Sequence, residues 1–356
     1  MYDLSGLGWR DIFESAFQQY RDLGHFPARV AVEHRGSYKL YCEQGEVSAR
    51  VRGKLRFQSE GTSDFPAVGD WVSVSGVDSR GSAQIEAVLP RQSKFSRKVA
   101  GANTEEQVVA ANVDTVFILQ GLDHDYNLRR LERYLVAAFE SNAAPVVILS
   151  KADLCEDVDE KIIGAQSVAP GTPVHAISSV SGRGLDALEQ YVVRGVTVAF
   201  LGSSGTGKST LINRIVGEEI QKTGTVREHD SRGRHTTRHR ELIVLESGGL
   251  LIDTPGMREL QLWDAGGSLS DAFSDVESIA AACYFSNCRH QNEPGCAVRE
   301  ALSDGTLDAD RYESYVKLER ELEYLDSRMD ERLNLKRKNR EKKIHRAYRM
   351  IKNRRT

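Results

Sequence analysis

One stretch, GSSGTGKST at residues 202–210, restricts the possible folds of this chain more than any other part of it. It follows the apolar run VTVAFL and matches the phosphate-loop pattern, in which four residues separate two glycines and Lys-Ser follows. Such glycines let backbone N–H groups point at nucleotide phosphates, while Lys208 reaches the outer phosphates and Ser209 ligates Mg²⁺. The predicted binding residues are Gly202, Ser203, Ser204, Gly205, Thr206, Gly207, Lys208, Ser209 and Thr210, with a helix beginning near Thr210.

Short apolar runs alternate with amphipathic segments on both sides of this loop. The apolar runs are VDTVFILQ, APVVILSKADL, TPVHAIS, VTVAFLG and GLLIDTPG, and the segments with a helical pattern include LRRLERYLVAAFESN and GLDALEQYVV. Apolar strands alternating with helices are typical of a mostly parallel sheet that is covered on both faces. We therefore predict an α/β nucleotide-binding domain over residues 104–265.

A base-reading motif precedes the loop by about fifty residues. Ser150, Lys151, Ala152 and Asp153 follow a buried run, and a carboxylate at Asp153 can accept paired N–H bonds from guanine that adenine does not offer. The Lys151 stem can lie along the plane of the base. A Lys-x-Asp sequence can also be solvated surface, but the serine pair Ser178 and Ser179 ends another strand, as the short serine motif of GTPases does.

Two further segments suit the γ-phosphate and its Mg²⁺. In GLLIDTPGM, Asp253 would approach Mg²⁺ through water and the Gly256 N–H would contact the γ-phosphate. In RGRHTTRHREL, Thr236 or Thr237 would join Ser209 as a Mg²⁺ ligand, within a stretch from about 223 to 240 that orders with GTP. The catalytic candidates are Lys208, Thr236, Thr237, Asp253 and Gly256.

The first third of the chain has a different pattern. Apolar residues alternate with polar ones in short runs, which indicates half-buried strands. The alternating residues are Val30 and Val32; Tyr38, Leu40 and Cys42; Val47, Ala49 and Val51; Val72 and Val74. Glycine-containing turns separate these runs, so we predict a small antiparallel barrel of the oligonucleotide-binding (OB) type. A barrel that only packs against its neighbours is the alternative.

Three of the five cysteines fall within fourteen residues, together with one histidine. Cys283, Cys288, His290 and Cys296 would make a closed tetrahedral zinc site, with no open position for a reacting water. We expect one structural Zn²⁺, with a cluster of reactive thiols as the alternative. Cys42 and Cys155 stand alone as small apolar residues.

The C-terminal part combines an apolar stripe with a basic end. The stripe has helical spacing and packs on its own domain or on a partner helix; it consists of Tyr315, Leu318, Leu322, Leu325, Met329 and Leu333. Residues 336–356 hold eleven Lys/Arg and one Glu, a charge of +10, so the rest of the chain carries −13. Such a tail is either a solvated extension or an arm for nucleic-acid phosphates.

The N-terminal residues and the lengths of the apolar runs bear on targeting. The first residues, MYDLSGLGWRDIFESAF, lack the basic start and apolar core of a signal peptide, and the apolar runs are too short to span a bilayer. We expect a cytoplasmic protein that does not bind membranes.

The order of the motifs is a circular permutation of the usual GTPase order, because the base reader and serine pair precede the phosphate loop. This arrangement resembles the circularly permuted, ribosome small-subunit-dependent GTPases of bacteria (RsgA/YjeQ type). Family-like stretches support it, among them FPAVGDWV, VLPRQSKFSRK and EQVVAANVDTVF, as does the Cys-x4-Cys-x-His-x5-Cys spacing. The predicted organisation is an N-terminal extension at 1–27, an OB-fold barrel at 28–100, a circularly permuted GTPase domain at 104–265, a helical zinc-binding module at 266–333 and a basic tail at 334–356.

The resemblance implies a GTPase that binds GTP and GDP, and that binds the small ribosomal subunit and its rRNA late in assembly, with turnover stimulated by the subunit. We expect a monomer, although the sequence itself does not give the oligomeric state. Ser150 stands where the family usually has Asn, and its shorter side chain makes fewer bonds between base and phosphate loop. Met257 stands where many GTPases have a water-positioning Gln, so another group must orient water. His235 resembles the histidine proposed to orient water in the family, or is an exposed bystander. The alternatives are an RNA-binding assembly scaffold with little hydrolysis, and an ATP-dependent enzyme.

Overall fold

The computed structural model describes residues 2–34, 36–77, 82–98, 106–217, 240–253, 267–325 and 327. Several predicted features lie outside these residues: His235, Thr236, Thr237, Gly256, Met257 and the tail at 334–356. The structure therefore bears on the phosphate loop, the base reader, the barrel and the cysteine cluster.

A five-stranded barrel forms the N-terminal part of the structure. Its strands are β1 (Phe26–His34), β2 (Ser37–Cys42), β3 (Gly45–Val51), β4 (Trp71–Val77) and β5 (Ser82–Val88). They pair in the order β1-β2-β3-β5-β4, and β4 pairs again with β1, which closes the barrel. The short helix α2 (Gly53–Gln58) lies in the connection between β3 and β4. The predicted barrel is confirmed, but it is not wholly antiparallel, because β3 and β5 pair in parallel.

The alternating residues of the barrel strands fill its interior. Val30, Leu40, Ala49 and Val72 belong to one buried cluster, as the period of two predicted. Val32 is different, because the pairing of β1 with β2 shifts between Val30 and Val32 and places Val32 in the cluster outside the barrel. A bulge of this kind changes the face on which the following side chains lie.

A two-stranded ribbon leads from the barrel into a second sheet. The ribbon consists of β6 (Lys94–Lys98) and β7 (Glu106–Ala111), and the sheet of β8 (Thr115–Gly121), β9 (Ala144–Ser150), β10 (Val174–Ala176), β11 (Thr197–Gly202), β12 (Glu241–Val244) and β13 (Leu250–Asp253). The sheet order is β10-β9-β8-β11-β13-β12, in which the first five strands are parallel and β12 is antiparallel. Among the residues that the structure describes, one strand pair, Val32 with Glu241, joins the sheet to the barrel.

Both faces of this sheet are covered, as predicted. Val116 and Ile118 of β8 belong to one buried cluster and Phe117 and Leu119 to another. The helices of this part are α3 (Leu128–Glu140), α4 (Val158–Val168) and α5 (Lys208–Val216). The segment GLDALEQYVV was predicted as an α-helix but forms only a six-residue 3₁₀ helix, Asp186–Tyr191, because the left-handed Gly184 and Gly195 bound the segment closely.

The N-terminal extension is folded against the barrel. Helix α1 (Asp11–Arg21) buries Phe13 and Phe17, and the Trp9 ring meets the Trp71 ring edge to face with their centroids 4.6 Å apart. The extension therefore packs on the outer side of the barrel, in the same cluster as Val32.

A buried guanidinium joins the extension, the barrel and the ribbon. Arg29 of β1 donates hydrogen bonds to the backbone carbonyls of Leu7, Gly69 (3.1 Å) and Asn112 (3.0 Å). Burial lowers the pKa of Arg29 to about 10, so the group remains charged at neutral pH.

A second buried ion pair lies nearby. Arg91 donates two hydrogen bonds, of 2.8 and 2.7 Å, to the buried carboxylate of Asp70. These contacts explain why FPAVGDWV and VLPRQS lie together.

The C-terminal part is helical. It contains α6 (Ser268–Ala272), α7 (Ser274–Ala280), α8 (Ala297–Asp304) and a helix over residues 309–325, here called α9. Leu318 and Leu322 of α9 are buried in the main core cluster, so the apolar stripe packs on its own chain up to Leu325. Met329 and Leu333 lie outside the described residues. In the part of the chain described here, no helix is long and apolar enough to cross a membrane.

Candidate functional site

The carboxyl ends of the parallel strands bring the predicted nucleotide-binding segments to one edge of the sheet. β8 lies between β9 and β11, with Gly121 opposite Ser150 and Leu119 opposite Gly202. β10 follows β9 on one side and β13, which ends at Asp253, follows β11 on the other. Ligands of open α/β sheets bind at this edge.

The phosphate loop connects β11 to α5. A side chain at Gly202 would place its Cβ 2.6 Å from the Leu119 carbonyl oxygen, so only glycine fits. Gly207 has a left-handed backbone (φ 86°) and ends the loop directly before Lys208, where α5 begins two residues earlier than predicted. Ser209 and Thr210 therefore lie in the first turn of a helix, where the unpaired N–H groups favour an anion.

Lys208 lies against its own loop. Its Nζ donates to the Gly202 carbonyl at 2.6 Å and also contacts the Ser203 carbonyl, and it lies 3.4 Å from Thr206 Oγ1. The Thr206 side chain is buried and donates to the Ser203 carbonyl at 3.0 Å. A positive charge is thus held at the loop that the sequence assigns to phosphates.

The base-reading segment begins where β9 ends. Lys151 has a left-handed backbone (φ 61°), and residues Ala152–Leu154 form one 3₁₀ turn in which Ala152 is buried and Asp153 is exposed. The Lys151 Nζ pairs with Asp123 Oδ2 at 2.5 Å. The sequence did not single out Asp123, although a carboxylate directly after the neighbouring strand was a signal for it.

Ser150 links the base-reading segment to the phosphate loop. Its buried hydroxyl lies 2.6 Å from the Thr206 carbonyl and 3.2 Å from the Gln120 carbonyl. A hydroxyl has one proton, so it donates to one carbonyl at a time, and the shorter distance favours Thr206. The short side chain thus keeps one bridge of the kind that the expected Asn would make.

The serine pair lies beside the base-reading segment. The Ala152 N–H donates to the Ile177 carbonyl at 3.0 Å, directly before Ser178. Ser178 is buried, and its hydroxyl accepts the N–H of Ser181 at 3.1 Å. Ser179 is half-buried. The structure therefore brings the two segments together, while their roles in binding a base stay predictions.

The four predicted metal ligands form a cluster between α7 and α8. The ligand atoms of Cys283, Cys288, His290 and Cys296 lie within 4.8 Å of one another. His290 Nδ1 is 3.5 Å from Cys283 Sγ and 3.4 Å from Cys296 Sγ, and the two sulfurs are 4.0 Å apart. Tetrahedral zinc with ordinary bond lengths needs about 3.5 Å between N and S and about 3.8 Å between sulfurs. The donor set and its spacing fit one such ion.

A carboxylate shapes the loop that carries His290. Glu293 accepts hydrogen bonds from the backbone N–H groups of Arg289, Gln291 and Asn292. These bonds, with Arg289 first, lower the pKa of Glu293 to about 2. His290 itself has a left-handed backbone (φ 60°), which is costly for a residue with a side chain. The sequence analysis missed Glu293, whose signal was an acidic residue between two ligands.

Ion pairs attach the cysteine-containing part to the nucleotide-binding part. Arg311 of α9 donates to both oxygens of Asp275 (2.7 and 2.6 Å) and to Glu132 of α3 (2.9 Å). Arg133 of α3 holds Glu321 through two bonds of 2.6 and 2.7 Å. Helix α9 is therefore held against α3 by ion pairs.

With this geometry established, comparison with known proteins identifies the family. The family model for the RsgA GTPase matches residues 88–263. The chain is 47% identical over 355 residues to the small ribosomal subunit biogenesis GTPase RsgA of Opitutus terrae, covering 97% of each chain. This chain belongs to the RsgA GTPase family. The small ribosomal subunit biogenesis GTPase RsgA 2 of Lactiplantibacillus plantarum is 45% identical over 89% of this chain and 90% of its own.

Solved structures agree with the RsgA family. YjeQ from Thermotoga maritima matches with a TM-score of 0.63 and 28% identity, over 84% of this chain and 98% of that one. YloQ, described as a circularly permuted GTPase, matches with a TM-score of 0.59 and 25% identity, over 84% and 95%. An ABC transporter model also matches residues 185–343. That range contains the phosphate loop, a feature of P-loop NTPases in general, whereas the RsgA relatives match along nearly the whole chain.

Proposed function

We propose that this protein hydrolyses GTP, binds the small ribosomal subunit late in its assembly, and is stimulated by that subunit. The observation that carries the proposal is the 2.6 Å contact between Ser150 Oγ and the Thr206 carbonyl. It joins the segment predicted to read guanine to the phosphate loop at one edge of the sheet. The names of the relatives supply the ribosomal context.

In this proposal Asp153 accepts the paired N–H groups of guanine, and Ser178 and Ser179 support the loop beside it. Lys208 and the first turn of α5 bind the phosphates, and positive charge there stabilises the transferring phosphoryl group. Ser209, one of Thr236 and Thr237, and Asp253 through water would hold Mg²⁺, which neutralises developing negative charge when bound. Gly256 contacts the γ-phosphate and His235 orients the attacking water.

The cysteine cluster holds one structural zinc ion in this proposal. Four protein ligands close the coordination sphere, so the ion supplies shape rather than chemistry. The loop from Cys283 to Cys296 then presents a fixed surface to the subunit, while α9 connects it to α3. The protein acts as a cytoplasmic monomer.

Two basic regions are proposed to contact rRNA. The first is the tail, residues 336–356. The second is the α2 surface of the barrel, residues 47–59, which has four cations and no acidic residue in a chain body that is strongly acidic. Its Phe57 is 91% exposed, which suits stacking on an unpaired base.

Turnover measurements test the activity. GTP hydrolysis by the purified protein should be slow alone and faster with purified small subunits. Absence of stimulation would favour an RNA-binding scaffold that binds nucleotide but hardly hydrolyses it. A second experiment measures competition between GDP and ADP for the nucleotide site of the free protein. Stronger competition by ADP would show that the site prefers adenine.

Salt titrations test the rRNA contacts. Each neutralised phosphate contributes about 0.7 to 0.9 to the slope of log affinity against log salt. Deleting residues 336–356, or making Lys54→Gln with Arg56→Gln, should flatten this slope for subunit binding. The matched control is Arg21→Gln with Lys39→Gln, because both of these cations are already paired, with Glu14 and Glu46. Unchanged slopes in the test variants would remove these regions from the interface.

A further inference from the structure

We infer that Asp123 is a positioning residue for guanine recognition, which holds the Lys151 side chain in place across the plane of the base. The inference rests on the proposed function, because it concerns the base-reading part of the same nucleotide site. It adds to that site a residue outside the phosphate loop, the base-reading motif and the serine pair.

The strand register places Asp123 beside Lys151. β8 and β9 are parallel neighbours, with Gly121 opposite Ser150, and the Leu122 N–H donates to the Ser150 carbonyl at 2.8 Å. Asp123 and Lys151 therefore leave adjacent strands at the same edge of the sheet. The sharp left-handed turn at Lys151 makes this the point where the chain enters the base-reading turn.

The two oxygens of the Asp123 carboxylate have different partners. Oδ1 accepts the backbone N–H of Asp125 at 3.1 Å, which fixes the orientation of the carboxylate. Oδ2 accepts a hydrogen bond from the Lys151 ammonium group, at an N–O distance of 2.5 Å. Each side chain is only about a quarter to a third exposed, so the pair is partly shielded from solvent. One oxygen thus anchors the side chain while the other holds the lysine.

Gly121 provides the space that this carboxylate occupies. A Cβ at Gly121 would lie 2.6 Å from Asp123 Oδ1 and 3.6 Å from the Asp125 Cβ. The backbone of Gly121 lies outside the left-handed region that favours glycine. Space for Asp123 is therefore the reason that the structure gives for a glycine at the end of β8.

The carboxylate is charged where it is needed. Burial raises the pKa of Asp123, but the hydrogen bond from Lys151 and the backbone bond from Asp125 outweigh it and bring the pKa below its usual range. Asp123 is therefore an anion at neutral pH and forms a charge-assisted bond, which is shorter and stronger than a neutral one.

Holding the ammonium matters because lysine is flexible. A free lysine stem loses rotamer freedom when a base packs against it, and that loss weakens binding. With its ammonium fixed on Asp123, the Lys151 stem is ordered before the nucleotide arrives. Asp123 therefore contributes to guanine affinity without contacting guanine.

A double-mutant cycle tests this role. Asp123→Asn keeps the shape but removes the charge, and should weaken GDP binding about 3- to 5-fold. In a Lys151→Met background, which keeps the stem without the ammonium, the same change should have no further effect. The matched control is Asp159→Asn in α4, an exposed carboxylate of the same domain, which should leave GDP affinity unchanged.

The turnover of GTP separates positioning from general damage. Asp123→Asn should raise KM and leave kcat unchanged, because Lys151 lies at the base and not at the phosphates, and Asp123→Glu should restore part of the affinity. Equal losses of affinity in the wild-type and Lys151→Met backgrounds would overturn the inference, as would unchanged affinity in Asp123→Asn. In both cases wild-type protein would still bind GDP, whereas failure of the proposed function would appear as wild-type protein that does not bind it.

Discussion

The nucleotide site and the cysteine loop are built by different means. At the nucleotide site, backbone groups at the ends of adjacent strands hold the segments side by side, as in the bond from Ala152 N–H to the Ile177 carbonyl. In the cysteine loop, side chains are central, since the four ligand side chains face one another and Glu293 accepts backbone N–H groups of the loop. Residues 281–295, all of which the structure describes, contain no buried residue and no regular helix or strand. The sheet therefore positions the first region, while the second depends on its four ligand side chains.

The two regions also differ in the source of the free energy that keeps them folded. The strands of the nucleotide site lie on a large apolar core, so its shape is maintained by burial. A loop without a core must gain its order from another source, and a bound metal supplies folding free energy directly. We therefore expect loss of metal to affect the loop and to spare the nucleotide site, and changes in the nucleotide site to spare the loop.

The largest expected effect is on the loop. The purified protein should contain about one equivalent of zinc, and Cys288→Ser should release it. Apparent zinc-binding free energies in small zinc peptides are about 10–16 kcal/mol, far more than an exposed loop can gain otherwise. Hydrogen exchange should then rise in residues 281–296 and remain unchanged at the phosphate loop. If the loop stayed protected from hydrogen exchange in metal-free protein, it would not depend on the metal for its order.

The next largest effect is on hydrolysis. Lys208→Ala removes the charge that stabilises the phosphoryl group in the transition state, and should reduce turnover about 10²- to 10³-fold. Single-turnover hydrolysis at saturating GTP measures this, with zinc content as the control that the loop is intact. Near-normal turnover would show that another group supplies the charge.

A smaller effect is expected on base choice. Asp153→Asn replaces the carboxylate that accepts the two guanine N–H groups, and loss of hydrogen bonds to a charged group should weaken GDP binding about 10- to 100-fold. Xanthosine diphosphate should gain affinity, because an amide complements the xanthine edge. Competition titrations with both nucleotides measure the change. Retained preference for GDP would remove Asp153 from the base site.

The smallest expected effect is at the bridge between base reader and phosphate loop. Ser150→Ala deletes the bond to the Thr206 carbonyl and should cost about 1 kcal/mol of stability, or more if that carbonyl stays unpaired. Ser167→Ala is the control, since its hydroxyl also donates to a carbonyl, that of Gly164 (2.8 Å), but on the exposed surface of α4. Thermal unfolding should distinguish the two. Equal shifts in Tm would show that the bridge has no special role.

Patterns that depend on local chemistry were predictable from the sequence. The phosphate loop requires a glycine at position 202, and the cysteine cluster requires thiol and imidazole groups at fixed spacing. Both patterns can therefore be recognised in the sequence without a structure. The alternation of Val30 and Leu40 also predicts the barrel interior. These signals are local because a few neighbouring residues carry all the necessary information.

Contacts between distant segments were not predictable in the same way. The bulge that moves Val32 to another cluster depends on its pairing with β2, and the buried Arg29 is satisfied by carbonyls that lie far apart in sequence. Asp123 has no motif of its own, and only the parallel register of β8 and β9 brings it to Lys151. The division of the chain at residues 100, 104, 265 and 333 stays a proposal for the same reason, because a boundary is defined by contacts.

The most direct test of the division between hydrolysis and subunit contact compares GTP turnover of wild-type protein and the Cys288→Ser variant, each with and without purified small subunits. Hydrolysis is assigned to the sheet edge, whereas the loop that the metal shapes is one of the surfaces proposed to contact the subunit. We expect the same turnover for both proteins alone, and weaker stimulation by the subunit for the variant than for the wild type. A fall in the unstimulated turnover of the variant, or full stimulation of it, would contradict the separation of the two regions.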